Sequence, residues 1–307
     1  MANFELIVVA LSLTEGDTSL IAFASLLSKL GAAKEVHFVH VTDLGVLKAK
    51  TRQTLRDKVA NEFAGTARTE CEVLDGALTD RLLAYVTEAQ ADLILIGSKK
   101  HVLGARLAMV APCSVAVIPQ GQPARLSHIM VAIDFSDAAR EMLRWVTQLA
   151  ESDRSMRFTA LHVMTHESAD LFATQESEPE QAETMRKLLA NADRNGVEMS
   201  QRLANVSRSG EVSRFHLFTP ASIQGADVAQ TILSEAEAIG ADCIAMSTRG
   251  RSASVSILLG SVTEKVIERA KVPLLVCKHS GASPGLAEVL LESVGMRGAV
   301  HAGIKTN

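Results

Sequence analysis

The chain has 307 residues, 47% of them apolar and 21% charged, which is enough for two soluble domains of ordinary size. A net charge of -4 and a pI near 6.2 exclude a global basic field for nucleic acid. Aromatic residues are only 4% of the chain, with one Trp and one Tyr, so base-stacking surfaces are not expected either.

The first apolar run is "FELIVVAL", Phe4 to Leu11. Its lead-in, "MAN", lacks the basic region of a signal peptide. An amphipathic stretch, "TSLIAFASLLSKLGA", follows, then "VHFVHV", a long helical segment to about Asn61, and "TECEVLDG". The helix "LTDRLLAYVTEAQ" leads into "DLILIGS", and "SVAVIP" closes this half. Strands and helices alternate, and the strands are continuous Val/Ile/Leu runs. Such strands are buried on both faces, which indicates a parallel sheet flanked by helices. No apolar run reaches the roughly 18 to 20 residues of a membrane helix. A cytoplasmic protein without membrane insertion is expected.

The order then repeats. "SHIMVAIDFS" opens like the first strand, and "DAAREMLRWVTQLAES" is a second amphipathic helix. "RFTALHVMTHE" echoes "VHFVHVTD", with His-Val at both strand ends; "GADCIAMST" echoes "QADLILIGS" and "KVPLLVCK" echoes "PCSVAVIP". The linker is "QGQPARLS", Gln120 to Ser127. The expected fold class is α/β, with two tandem five-stranded, parallel, doubly wound (Rossmann-like) domains. Their expected extents are residues 1–124 and 125–280, with a tail at 281–307. The four cysteines, Cys71, Cys113, Cys243 and Cys277, form no C-x-x-C pair and read as small buried hydrophobes.

In open sheets of this kind ligands bind beyond the carboxyl ends of the strands, where strand order reverses. After Met246 the second half reads "STRGRSASVSILLGSVTEKVI". Ser261 and Glu264 form an S-x-x-E capping box, which predicts a helix from Val262. Gly260 then sits directly before exposed helical N–H groups and the positive end of the helix dipole. Gly250 and Gly260 permit close backbone approach or positive φ. This is the form of a phosphate cradle. A plain helix cap with two turn glycines is the competing reading. No Walker, dinucleotide or nucleophile-elbow motif occurs elsewhere.

With these residues in view, the sequence resembles a tandem universal stress protein from Phe4 to Lys278. The family's signature is G-x-x-G, nine residues, then G-[ST]; here it reads Ser247-Thr248-Arg249-Gly250, nine residues, Gly260-Ser261. Asp134 in "VAIDFS" matches the family's aspartate at the adenosine, and Val163 matches its valine beside the adenine. The resemblance implies a nucleotide-binding set of Ala132, Asp134, Val163, Met246, Ser247, Arg249, Gly250, Gly260, Ser261, Val262 and Thr263. It implies ATP as the ligand, with Mg at the phosphates as an option, and a stress-response regulator or adaptor as the function. Ser247 departs from the pattern. If that position needs left-handed backbone, its side chain costs about 1–2 kcal/mol, and each 1.4 kcal/mol is about tenfold in affinity.

The first half lacks this set. Ser12 stands where Asp134 stands, and "GSKKHVLGARLAMVAPCSV" replaces the long loop. Lys99, Lys100, His101 and Arg106 there read as a solvated helix face rather than an anion site. An ATPase would need a group to position water and a carboxylate for Mg²⁺. Asp134 and Glu264 have other roles, and His162, His166 and Glu167 have no spacing for metal or acid–base work, so no catalytic residue is assigned. A slow ATPase and a scaffold with a different, hydrophobic ligand are the alternatives. "SVAVIP" and "PLLVCK" should lie at sheet edges and cover each other. The family's single-domain members pair through this strand, which implies a pseudo-twofold pair within one chain. A further homodimer remains open, and protein partners are not specified.

Overall fold

The structure is a computed structural model that describes residues 5–31, 33–42, 48–98, 101–134, 155–163, 216–218, 227–248 and 259–278, with helical residues 138, 139, 141, 142, 145, 146 and 149. In chain order the first half supplies β1 (Leu6–Leu11), α1 (Asp17–Gly31), β2 (Glu35–Thr42), α2 (Lys48–Glu62), β3 (Arg68–Asp75), α3 (Leu78–Glu88), β4 (Leu93–Gly97), α4 (His101–Val110) and β5 (Ser114–Ile118). The second supplies β6 (His128–Ala132), β7 (Arg157–Val163), β8 (His216–Phe218), α5 (Val228–Ala238), β9 (Cys243–Ser247), α6 (Ser261–Arg269) and β10 (Leu274–Cys277).

The ten described strands join one sheet in the order β3-β2-β1-β4-β5-β10-β9-β6-β7-β8. Every neighbouring pair is parallel except β5 with β10. Read inward from either edge, the third, second, first, fourth and fifth strand of each half follow one another. The two closing strands meet at the middle, with Leu274 opposite Val117, Leu275 opposite Ala116 and Val276 opposite Val115. Each of these side chains is buried. Leaving such a residue exposed at an open edge would forfeit about 1.5–3 kcal/mol for a Val or Leu.

The same local device starts the first strand of each half. Asp92 Oδ2 accepts from Leu6 N at 2.9 Å, and Asp92 N returns a bond to Leu6 O at 3.0 Å. Asp242 does this for His128, with Oδ1 accepting from His128 N at 3.0 Å and Asp242 N donating to His128 O at 3.0 Å. The "AD" before each "LILIG"-like run is therefore a hydrogen-bonded clasp that fixes register.

The stretch that replaces the long loop of the second half is itself a helix, α4, with Leu103, Leu107, Ala108 and Ala111 buried at helical spacing. Gly104 lies inside it and weakens the helical signal. Its bare Cα is what lets α4 approach α6: an added Cβ would stand 3.2 Å from Ile267 Cγ2, 3.4 Å from Val117 Cγ2 and 3.5 Å from Ile96 Cδ1. The basic cluster beside it is partly paired, since Arg106 lies 3.6 Å from Asp80, while Lys99 and Lys100 are outside the described residues. The tail at 281–307 also lies outside the described residues. No helix among the described residues is long and apolar enough to cross a membrane.

Candidate functional site

Strand order reverses beside β6, between β7 and β9. The carboxyl ends of β6 and β9 open there onto a cleft of about 170 Å³. It is lined by Ala132, Asp134, Val163, Met246, Ser247, Gly260, Ser261, Val262 and Thr263, with Ile133, Leu161, Val228 and Ile232 completing an apolar floor. These include every residue of the expected nucleotide set except Arg249 and Gly250, which fall outside the described residues.

The backbone explains how the cleft holds its shape. The chain leaves the sheet at Thr248, whose N–H donates to Cys277 O at 3.2 Å. It returns at Gly260, whose N–H donates to Thr248 O at 3.0 Å, so the loop between them is pinned at its neck. Thr263 Oγ1 then donates to Ser247 O at 3.1 Å and fastens the first turn of α6 to the end of β9.

Ser261 does not cap this helix. Gly260 is the N-cap, with φ -62° and ψ 134°, and Ser261 is the first helical residue. The helix therefore starts one residue earlier than the S-x-x-E spacing indicates, and the third-position residue is Thr263, not Glu264. Glycine is tolerated at an N-cap, and the bond to Thr248 O fixes it there. Nor does Gly260 need positive φ. An added Cβ would meet Thr248 O and Thr263 Oγ1 at an ordinary 3.6 Å. The strain anticipated for Ser247 is also absent. Ser247 is the buried last residue of β9, and Leu13 and Gln90 are the non-glycine residues with positive φ among those described.

The first intrahelical bond of α6 runs from Glu264 N to Gly260 O at 3.0 Å. The N–H groups of Ser261, Val262 and Thr263 thus have no intrahelical acceptor and face the dipole's positive end. Asp134 lies two residues past β6 and is half-buried. An apolar floor, a carboxylate on one side and helical N–H groups on the other suit a ligand with a flat apolar part, hydroxyl donors and an anionic end.

The first half has a cleft at the corresponding place, about 90 Å³, lined in part by Ala10, Ser12, Val39, Leu78, Ile96 and Leu103. It does hold a carboxylate, which the sequence reading missed. Asp17 is buried and accepts from Ser12 N at 3.0 Å, Ser12 Oγ at 2.9 Å and Thr14 N at 3.1 Å. Its oxygens are spent within the chain, so it is a structural clasp at the start of α1. An added Cβ on Gly16 would meet Gln120 Nε2 at 2.9 Å, so the linker's first side chain lies against this cleft. The signal was the short "SLTEGD" turn, with Ser, Thr and Asp spaced for such bonds.

Cys113, Cys243 and Cys277 are buried, and burial pushes all three thiols up, that of Cys113 to about 12. His162 lies on β7, whereas His166 and Glu167 lie outside the described residues.

Among curated proteins none matches the chain. A universal stress protein from Archaeoglobus fulgidus is 17% identical with a TM-score of 0.62, the match covering 92% of this chain and 100% of that one. A functionally unknown protein from Pseudomonas aeruginosa is 15% identical with a TM-score of 0.63, over 94% of this chain and 98% of that one. A putative universal stress protein from Pseudomonas aeruginosa is 16% identical with a TM-score of 0.61, over 93% and 97%. At these identities the likeness is one of fold, an α/β architecture with a mostly parallel sheet. The family model named "Universal stress protein family" matches residues 126–278, and one domain of that family is found in this chain there.

Proposed function

We propose that this is a stress-response regulator or adaptor, built of two universal stress domains, whose second domain binds ATP or a related adenine nucleotide. The observation that carries the reading is the cleft at the ends of β6 and β9, where Asp134, Val163, Gly260 and Ser261 converge. The adenine would lie on the floor by Val163 and Ala132, the ribose by Asp134, and the phosphates at the start of α6 with Arg249 and Gly250. Mg²⁺ would be brought by the phosphates, since the cleft's one described carboxylate is assigned to the sugar. No residue is assigned to hydrolysis.

The extents 1–124 and 125–280 for the two domains are supported by the shared strand order and by the twin aspartate clasps. The β5–β10 register supports a pseudo-twofold relation. Val115 corresponds to Leu274 and Val117 to Val276, and the pairs Val115–Val276 and Val117–Leu274 exchange under such an axis. The first domain would serve as a scaffold, its cleft being smaller and without the loop. A cytoplasmic location fits this role.

The test is calorimetric titration of ATP into the full chain and into Gly260→Glu. The glycine's ordinary φ and the ordinary 3.6 Å contacts of an added Cβ let this variant fold, while its carboxylate meets the phosphates. Val102→Glu, on the exposed first turn of α4, is the control. Binding by wild type and Val102→Glu, lost in Gly260→Glu, is expected. No heat from wild type, or equal heats from all three, would overturn the reading.

A further inference from the structure

The outer strands of the first half carry a group of side chains unconnected with either cleft. Glu35 and His37 are two residues apart on β2, so they share a face of the sheet. Glu70 on β3 is the direct cross-strand partner of His37. One oxygen of each carboxylate is turned to the imidazole: His37 Nε2 is 3.1 Å from Glu35 Oε2 and 3.6 Å from Glu70 Oε2. One donor atom from each residue falls within 4.8 Å of the others.

We propose that Glu35, His37 and Glu70 form a site for a first-row divalent cation of the zinc class. The spacing is the first argument. With bonds of about 2.0–2.2 Å, neighbouring ligand atoms around a tetrahedral zinc stand about 3.3–3.5 Å apart. The two nitrogen–oxygen separations bracket that length. One imidazole and two carboxylates form a mixed donor set that suits zinc rather than calcium or magnesium.

The second argument is the far side of the ring. Tyr85 on α3 bonds His37 Nδ1 at 2.9 Å and holds the buried ring with Nε2 facing the carboxylates. A partner on the second ring nitrogen is how metal-bound imidazoles are oriented. The Tyr85 hydroxyl can donate to Nδ1 or accept from it, so a cation at Nε2 would replace the proton that Nε2 now shares with Glu35 Oε2.

The third argument is charge. Arg68 lies 3.1 Å from Glu35 Oε1 and 2.8 Å from Glu70 Oε1, so it takes the outer oxygens. Two carboxylates, one guanidinium and a neutral imidazole sum to one negative charge, which a cation offsets. Three protein ligands leave a fourth position for water. Among the described residues the second half has no such set, and Arg157 and Thr159 occupy the corresponding places on β7.

The full chain is titrated with Zn²⁺ alone, followed by calorimetry and by the visible bands of Co²⁺ as a replacement. Wild type should bind with one site assigned to this trio, and Zn²⁺ should raise its Tm. His37→Ala and Glu70→Gln should each weaken that site at least tenfold and abolish the Tm rise. Tyr85→Phe should weaken it about tenfold while keeping the Co²⁺ spectrum. Arg68→Gln should bind as tightly as wild type or tighter. Glu70→Gln changes a half-exposed side chain and should remain folded. Absence of binding by wild type, or equal affinity and Tm rise in wild type, His37→Ala and Glu70→Gln, would overturn the proposal.

Discussion

The approach of α4 to α6 makes Gly104 a sharp test of how the two halves pack. Three methyl groups surround the place where its Cβ would be, from Ile267 in the second half and Val117 and Ile96 in the first. In Gly104→Ala two effects oppose. The helix gains about 1 kcal/mol from propensity, while a contact of 3.2 Å to Ile267 Cγ2, on a stiff β-branched side chain, must be relieved. These are of similar size, so a stability near wild type is expected. In Gly104→Leu the propensity gain is about 0.7 kcal/mol, but a whole side chain must enter a filled interior at about 1–3 kcal/mol or more. A net loss of about 1–2 kcal/mol follows. Urea unfolding should show it as a lower midpoint with unchanged slope. Adding Ile267→Ala should restore room, so that the double variant loses at least about 1 kcal/mol less than the two single losses added. A Gly104→Leu midpoint at or above wild type, or full additivity, would refute the packing described.

Two further outcomes are expected. Lys278 Nζ donates to Ala111 O, and to Met109 O at 3.4 Å, so a cation from the second half sits at the negative end of α4. Lys278→Met should cost about 1 kcal/mol in unfolding free energy, and an unchanged urea midpoint would show that this contact contributes nothing. Burial, and then the Arg157 charge, hold buried His128 below its ordinary 6.5. The unfolded chain therefore takes up this proton where the folded chain does not. The stability it contributes is present above pH 6.5 and is lost as pH falls below it. Wild type should lose midpoint on that descent more steeply than His128→Gln, and parallel pH profiles would remove His128 as the cause.

What was legible in the sequence follows from burial. "LIVVAL", "LILIG", "SVAVI" and "CIAMS" are strands covered on both faces, so the apolar runs are unbroken and easily read. β8 is three residues long and was not placed, because so short an outer strand carries no period. A helix face is legible at α4, but the reason for its glycine is a contact with a helix about 160 residues onward, which local sequence does not show. The cleft's lining was legible only in part: Asp134 follows a strand end and Gly260 precedes an apolar helix, both marked locally, whereas Val163 came from the family resemblance. The cap at Gly260 was displaced by one residue because the deciding bond comes from Thr248, across a loop. Asp17 was overlooked because its partners are mostly backbone N–H groups, which no residue pattern shows. The Glu35–His37–Glu70 group was invisible for a different reason: only the β2–β3 register brings Glu70 opposite His37.

The single antiparallel junction has a consequence for how the chain is made. Val117 and its partner Leu274 are 157 residues apart, the difference of their numbers. As the polypeptide emerges, β5 is complete long before β10 exists, and for that interval its apolar edge has no partner of its own chain. On a crowded messenger the nearest finished β10 belongs to the ribosome ahead. Closure within one molecule then competes with exchange between two nascent chains, and the outcome depends on the spacing of ribosomes and the speed of translation. A slower passage through the second half lengthens the exposure and favours an exchanged dimer with the same strand pairing.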